Sequence, residues 1–400
     1  MAKSKKTAND ELDIFAKMAQ ETGGDVVCEM EQDTGFIDTG NFAINYSCSG
    51  RFKTGGLQQG RIIELYGPSA SAKSLLAMNC IAGVQKAGGV AILIDSENAF
   101  NPEFAVRASG IDPKKLVRYV TYSIEQSFTK INNFANWIRK QDKFKDVPVL
   151  VVYDSISVSP CERELRESQL PENYTDADFK RVVGGKAQPG ERAKIIGNEL
   201  RKVNTVLEKN NVALLLINQV RNAIGVMYGN PETTAAGGAA LPFYCSQRIR
   251  AASQKKIEEK LAGGRKRYVG VNIQISNKKN RSTRPFIMVD GVNLMFDTGI
   301  NPLSGLLAAL IDADRIVAAG AGNFTIKPEF ASSEDVKFKS SLERNDVPID
   351  VLLAHPKLID AESADEIREY LSHFKNVNVV LPGEQDNLEF SDTPDDEIEG

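Results

Sequence analysis

One stretch of eight residues has the composition and spacing of a phosphate-binding loop. It reads Gly67-Pro68-Ser69-Ala70-Ser71-Ala72-Lys73-Ser74 and lies between a strand-forming run and an apolar segment with helical spacing. In the pattern G-x-x-x-x-G-K-[ST], backbone N–H groups surround phosphates, the lysine reaches the β and γ oxygens, and the hydroxyl binds Mg²⁺. The stretch therefore predicts nucleotide binding, with Lys73 and Ser74 in those two roles.

One residue of this loop departs from the pattern. Ala72 stands where the second glycine is expected. An alanine can serve there if its φ is negative, whereas a left-handed conformation would cost about 1 kcal/mol or more. The competing interpretation of the whole stretch is an ordinary strand-turn-helix corner with an incidental lysine.

Strands and helices alternate from Gly60 onward, which predicts an α/β fold with a largely parallel sheet covered by helices. The predicted strands are 61–66, 90–94, 147–153 and 212–217, and the predicted helices are 73–83, one within 126–139, and 192–210. Because parallel strands end at the same edge of a sheet, the polar residues that follow them should lie close together.

Three of these polar residues have types that suit ATP hydrolysis. Asp154 suits the acid that orients Mg²⁺ through water, and Glu97 is the better candidate to polarise an attacking water. Gln219 could contact the γ-phosphate through its amide. Each could instead be a helix cap or a turn residue. Together with the loop, they predict an ATPase.

The segment that follows Gln219 closely resembles the second DNA-binding loop of the RecA family of recombinases. The resemblance rests on Ile224-Gly225-Val226-Met227, Gly229-Asn230-Pro231-Glu232-Thr233-Thr234, Phe243-Tyr244, Glu64-Leu65-Tyr66-Gly67-Pro68, Ile94-Asp95-Ser96-Glu97, Asn101-Pro102 and Asp154-Ser155, and it covers roughly residues 39–310. It implies a RecA-type ATPase core that uses ATP and Mg²⁺. It also implies helical filaments on single-stranded DNA, pairing with homologous duplex DNA, and strand exchange.

The same resemblance implies further site residues. The DNA-binding candidates are Arg221, Ile224, Met227, Tyr228, Gly237 and Gly238 in or beside the second loop, and Lys194, Arg201 and Arg248 outside it. Lys279 and Arg281 match two cations that reach the ATP of a neighbouring subunit. Phe104 and Phe296 stand where relatives have tyrosines near the adenine. The cations could instead be solvated surface charges, and both phenylalanines could be core residues.

Composition and the ends of the chain complete the prediction. With 42% hydrophobic and 26% charged residues, the 400-residue chain has the composition of a globular protein, and no apolar stretch is long enough for a membrane. A location in the cytoplasm of a bacterial cell is what the resemblance to the RecA family implies. We predict an N-terminal oligomerisation segment (1–38), the core (39–317), a C-terminal region (318–382) and an acidic disordered tail (383–400). Loader or single-stranded-DNA-binding proteins are expected partners.

Several alternatives stay open at this stage. The acidic tail, whose removal would change the net charge from −4 to +4, could compete with DNA or simply aid solubility. A helix predicted at 11–21 could contact a neighbouring subunit or its own core, and one predicted at 363–374 is expected to pack internally. A hexameric helicase and a non-hydrolysing filament protein are the other candidate functions. Ala72, the altered first DNA-binding loop and the divergent C-terminal region are typical of phage-encoded, UvsX-like recombinases, whereas the second loop is more similar to the bacterial proteins.

Overall fold

The computed structural model describes residues 17–18, 21–22, 35–170, 175, 178, 190–222, 232–234, 236–261, 264–341, 345–375 and 377. For residues 221, 222 and 232–234 it describes the backbone alone. The chain divides into two compact units, residues 1–35 and 36–400. The predicted helix at 11–21 lies largely outside the described residues, and the acidic tail lies wholly outside them.

The second unit contains strands from its first residue to the C-terminal region. They are β1 (Phe36–Ile37), β2 (Leu57–Gln58), β3 (Ile62–Gly67), β4 (Val90–Asp95), β5 (Leu116–Val120), β6 (Val149–Asp154), β7 (Ala213–Asn222), β8 (Glu232–Thr234), β9 (Gln247–Lys260), β10 (Lys266–Asn280), β11 (Met288–Met295), β12 (Gly299–Ile300), β13 (Ile316–Gly320), β14 (Asn323–Ile326) and β15 (Lys337–Lys339).

Helices connect most of these strands. They are α1 (Phe42–Ser49), α2 (Lys73–Lys86), α3 (Pro102–Ser109), α4 (Ile124–Ile138), α5 (Glu162–Ser168), α6 (Glu191–Lys209), α7 (Ala240–Tyr244), α8 (Leu306–Asp312), α9 (Ile349–Ala354) and α10 (Ala364–Ser372). None of the helices in the described part of the chain is both long and apolar enough to cross a bilayer.

The main sheet is parallel in its centre and antiparallel at one side. Its order is β12-β11-β10-β9-β3-β7-β6-β4-β5, and β8 pairs with the end of β7. The strands from β9 to β5 in this order are parallel to one another. The strands β10, β11 and β12 are added antiparallel beside β9. The α/β fold with a largely parallel sheet is therefore confirmed.

Both faces of the central strands are buried. In β6, Leu150 and Val152 face one hydrophobic core, whereas Val149, Val151 and Tyr153 face the other. The first core is covered by α1, α2, α8 and C-terminal elements, and the second by α4 and α6. Strands buried on both faces give continuous apolar runs in sequence. This is why the pattern identified them.

The long hairpin formed by β9 and β10 was not predicted. Its strands have 14 and 15 residues, and the second half of β9 is mostly exposed. Because that half packs against no core, its sequence shows no regular alternation of apolar residues. By contrast, the helix predicted at 363–374 packs internally as expected, with Ile367 and Leu371 fully buried.

Arg139 secures the sheet edge opposite the predicted site. Its guanidinium follows α4 and donates to the backbone carbonyl groups of Phe144, Lys145, Val147, Asn210 and Asn211. It thereby connects the end of α4, the segment before β6 and the end of α6.

We predict that Arg139→Met lowers the free energy of unfolding by about 3 kcal/mol, because several carbonyl groups lose a charged donor that contributes roughly 1.5–3 kcal/mol per bond. Chemical denaturation with urea measures this change. Lys140→Met, at the exposed neighbouring residue, is the control and should alter stability by less than about 0.5 kcal/mol. Equal stability of both variants would contradict the role given to Arg139.

Candidate functional site

The predicted phosphate-binding loop joins the end of β3 to the first turn of α2. Gly67 passes so close to β9 that a Cβ there would lie 2.0 Å from the carbonyl oxygen of Ala251. The hydroxyl of Ser71 donates to the carbonyl oxygen of Pro68 at 2.8 Å. The Nζ atom of Lys73 donates to the carbonyl oxygens of Gly67 and Pro68, at 3.1 and 2.6 Å. The lysine thus lies inside the loop.

Ala72 adopts the left-handed conformation, with φ 61° and ψ 23°. Ala70, two residues earlier, is also left-handed at φ 59°. The loop therefore carries the backbone strain that a glycine at position 72 would avoid. No side chain caps the start of α2. Its first N–H groups can consequently bind an anion, which the helix dipole also favours.

A cavity of about 770 Å³ lies beside this loop and brings the predicted polar residues together. Strand register explains the arrangement, because Gly67 lies next to Gln219 and Asp95 next to Asp154. The predicted site residues that line the cavity are Ser69, Ala70, Ser71, Ala72, Lys73, Ser74, Glu97, Phe104, Asp154, Gln219 and Phe296. Their individual roles remain predictions.

The acidic residues of the cavity have different surroundings. Burial raises the pKa of Asp154 to about 6, although hydrogen bonding with Ser74 and the charge of Lys73 oppose that change. Glu97 is exposed and accepts a hydrogen bond from the Ser155 hydroxyl at 2.8 Å. Burial also lowers the pKa of Lys73, against the attraction of Asp154 and Glu97. A buried lysine, an exposed carboxylate and a partly buried one therefore meet at one strand edge.

Asp95 holds the loop that carries Glu97, a role that the sequence analysis missed. Its carboxylate is 3% exposed and accepts from the backbone N–H groups of Ala99 and Phe100, at 3.3 and 3.1 Å. The Nε atom of Arg118, on β5, donates to the same carboxylate at 2.8 Å. An aspartate at the end of an apolar strand was visible in the sequence, but the pairing with Arg118 was not.

Ser74 and Asp154 fit the oxygen ligands that Mg²⁺ prefers. Asp154 is largely withdrawn from water and would gain from a cation beside it. Among the residues that the structure describes, no three His, Cys, Asp or Glu side chains form a metal site by themselves. A magnesium ion here would therefore also need phosphate oxygens and water, as is usual for this cation.

Asn218 connects the nucleotide-facing edge to the end of the second predicted DNA loop. Its Nδ2 atom donates to Glu64 at 2.8 Å and to the carbonyl oxygen of Ala236 at 3.2 Å. Ala236 directly precedes Gly237 and Gly238, which are both left-handed. The residue after Asn218 is Gln219, so one strand end contacts both features.

The described part of the second loop lies against α6. A Cβ at Gly238 would approach the Cβ of Ala193 to 3.2 Å, next to the exposed Lys194. Arg201, further along α6, is exposed, and its Nε donates to the Tyr244 hydroxyl at 3.3 Å. Ile224, Met227, Tyr228 and the side chain of Arg221 lie outside the described residues.

Arg248 has a buried partner within the fold. Its guanidinium donates to the carboxylate of Glu64, which is fully buried in β3, and lies 4.9 Å from the ring centroid of Tyr66. Burial raises the pKa of Glu64, while the charge of Arg248 and its hydrogen bond oppose that change. Glu64 is a single acidic residue within an apolar strand, and in the sequence this pattern indicates that a cationic partner lies nearby in the fold.

Lys279 and Arg281 are not brought together with the phosphate-binding loop of the same chain. Lys279 pairs with Arg248, which lies beside Glu64, three residues or about 10 Å before Gly67. Its Nζ donates to the carbonyl oxygens of residues 242 and 243, at 2.7 and 3.1 Å. Burial and two neighbouring arginine charges lower the pKa of Lys279. Neither Lys279 nor Arg281 lines the cavity.

Comparison with known proteins decides the family. The sequence profile of the RecA N-terminal domain matches residues 14–301. The chain belongs to the RecA family. Protein RecA of Chloroherpeton thalassium is 32% identical over 287 residues, which are 71% of this chain and 70% of that protein. The chromosomal protein RecA of Lactococcus lactis subsp. lactis is 31% identical over 339 residues, 84% of this chain and 79% of that protein.

A crystal structure of the RadB recombinase aligns with 66% of this chain and 98% of its own, at 18% identity and a TM-score of 0.44. The predicted RecA family membership is thus confirmed by the sequence profile and the relatives. An origin in a phage stays a prediction.

We predict that Ala72→Gly raises the free energy of unfolding by about 0.5–1 kcal/mol, because the left-handed cost of alanine exceeds the entropy cost of glycine. Ala87→Gly is the matched control, since Ala87 is exposed at φ −76° and should gain nothing. Denaturant titration of both variants measures the difference. If Ala72→Gly is no more stable than the native chain, the loop does not carry this strain.

We predict that Arg248→Met lowers the free energy of unfolding by about 3–5 kcal/mol, because it leaves the buried Glu64 carboxylate without its cation. The double variant Glu64→Gln/Arg248→Met should recover part of the loss. Arg201→Met, at an exposed DNA-binding candidate, is the control and should cost less than about 1 kcal/mol. A loss below that level for Arg248→Met would show that the ion pair is not structural.

Proposed function

We propose that this RecA-family chain is an ATP-dependent DNA recombinase. It forms helical filaments on single-stranded DNA, pairs that strand with homologous duplex DNA, exchanges strands, and hydrolyses ATP faster when DNA is bound. The observation that carries this proposal is the end of β7, where Gln219 lines the cavity and Asn218 bonds Ala236 beside the second loop. Nucleotide and DNA can therefore influence the same strand.

At the ATP, this chain's residues bind and orient the triphosphate. The N–H groups of the loop and of the first turn of α2 hold phosphate oxygens, and Lys73 leaves its carbonyl partners to reach the β and γ oxygens. Ser74, and Asp154 through water, would hold Mg²⁺, which would supply charge neutralisation at the phosphates. Glu97 polarises the attacking water, and Ser155 holds its carboxylate.

At the DNA, cations and flexible backbone contact one strand. Lys194 and Arg201 contact phosphates from α6, and the N–H groups of Gly237 and Gly238 do so from the adjoining loop. Arg221, Ile224, Met227 and Tyr228 provide the remaining contacts, including apolar surfaces for bases. Arg248 supports this region through Glu64 and also contacts DNA.

Lys279 and Arg281 act on the ATP of a neighbouring subunit. Neither residue lines the cavity of its own chain, which supports this assignment. Charge supplied across an interface stabilises the transferring phosphoryl group and makes hydrolysis depend on assembly. Phe104 and Phe296 border the adenine.

For the wider organisation, we propose the divisions that the sequence predicts. Residues 1–38 promote oligomerisation, 39–317 form the ATPase and DNA-binding core, 318–382 form the C-terminal region, and 383–400 form the acidic tail. The protein acts in the cytoplasm with loader or single-stranded-DNA-binding proteins.

We predict that phosphate release from ATP rises with single-stranded DNA and increases cooperatively with protein concentration. Lys73→Ala and the double variant Lys279→Ala/Arg281→Ala should each lose activity by about 10³-fold or more. A mixture of these two inactive proteins should regain activity, because some interfaces then combine an intact loop with intact cations. Lys278→Ala, at the exposed neighbouring lysine, is the control and should remain active.

Three results would contradict parts of this proposal. Hydrolysis indifferent to DNA and concentration would exclude a filament mechanism. Failure of the mixture to regain activity would exclude action between subunits. An absence of hydrolysis in the native chain, with filaments still formed, would identify a non-hydrolysing filament protein.

A further inference from the structure

A further part of the cavity lining comes from the β9–β10 hairpin. Lys256 and Tyr268 line the cavity from this hairpin, together with Ser253 and Gly270. The sequence analysis named none of these residues. The predicted site residues therefore do not explain why the hairpin contributes to the lining of the cavity.

Irregular strand pairing directs these side chains into the cavity. Ser253 pairs with Ile273 but Lys255 pairs with Asn272, so one extra residue is inserted in β9 between them. In a regular strand, residues three apart point to opposite faces. With the inserted residue, Ser253 and Lys256 both line the cavity. Such bulges often redirect side chains beside active sites.

A second irregularity lies across the hairpin. Gly270 pairs with Ile257 and Tyr268 with Glu258, which leaves one extra residue in β10. Both strands are thus distorted where they pass the cavity. Both Tyr268 and Gly270 line it.

Lys256 and Tyr268 contact each other, and both are exposed. The Nζ atom of Lys256 lies 4.7 Å from the ring centroid of Tyr268, whose side chain is 55% exposed. Within the described residues Lys256 has no carboxylate partner, whereas Lys266 and Arg267 of the same hairpin pair with glutamates. An uncompensated cation and an open aromatic ring therefore face one cavity.

We propose that Lys256 and Tyr268 are additional nucleotide-binding residues, with Lys256 on a triphosphate oxygen and Tyr268 against the nucleoside. This inference rests on the proposed function, because ATP is the ligand. The cavity already has an anion-binding wall at the loop and aromatic residues at Phe104 and Phe296. The hairpin adds one group of each kind to the same lining, so that the ligand gains one further ionic and one further aromatic contact.

Calorimetric titration with MgATP and with magnesium tripolyphosphate tests the two contacts separately. Lys256→Met should weaken binding of both ligands by about five-fold, the value of a partly exposed ion pair. Tyr268→Val should weaken MgATP by about five-fold but leave tripolyphosphate unchanged, because that ligand has no nucleoside. Tyr268→Phe keeps the ring and should bind as the native chain does.

Lys255→Met is the matched control, since Lys255 neighbours Lys256 on the same strand but does not line this cavity. It should bind both ligands within about two-fold of the native chain. Native binding of MgATP with unchanged affinity in Lys256→Met and Tyr268→Val would overturn this inference and leave the proposed function intact. Failure of the native chain to bind MgATP would overturn both.

Discussion

Burial of the central parallel strands on both faces is the constraint on which the site depends. Side chains of β3, β4, β6 and β7 alternate between two hydrophobic cores. Polar side chains on these strands are therefore exposed to water only at the strand ends. Parallel pairing brings those ends to one edge. Register then places the residues that follow separate strands opposite each other, as with Asp95 and Asp154. Several of the polar residues that line the cavity are therefore those that directly follow the apolar strands in the sequence.

Glu64 is the exception to this rule, and its surroundings explain how it is tolerated. The carboxylate lies in the middle of β3, and burying it alone would be expensive. Arg248 and Asn218 satisfy it from the two neighbouring strands. Because Asn218 also bonds Ala236, the same carboxylate connects three parallel strands with the end of the second loop. A change in the position of β7 would therefore also shift the end of that loop, through the hydrogen bond of Asn218.

The two parts of the cavity lining differ in how closely they are packed. The loop wall is held tightly, with Lys73 bonded to its carbonyl groups and Gly67 pressed against β9. The hairpin wall extends past the core, and its side chains are mostly exposed. A ligand between them would be positioned by the first wall and enclosed by the second.

The sequence by itself determined four of the parallel strands (β3, β4, β6 and β7), the helices α2, α4, α6 and α10, the phosphate-binding loop and the family resemblance, because these depend on local composition and on short spacings. It also identified Glu97, Asp154 and Gln219, since each follows an apolar run. It left the sign of φ at Ala72 open, because tertiary packing can impose a conformation that an alanine does not itself favour. The structure decided that the residue is left-handed.

Tertiary structure alone decided the partners that are distant in the chain. Arg248 lies 184 residues from Glu64 along the chain. Arg118, on β5, lies 23 residues from Asp95, which ends β4. The bulges that direct Lys256 and Tyr268 into the cavity arise from strand register, which a partly exposed hairpin does not reveal through its pattern. Local sequence encodes local conformation, whereas these contacts depend on how the whole sheet assembles.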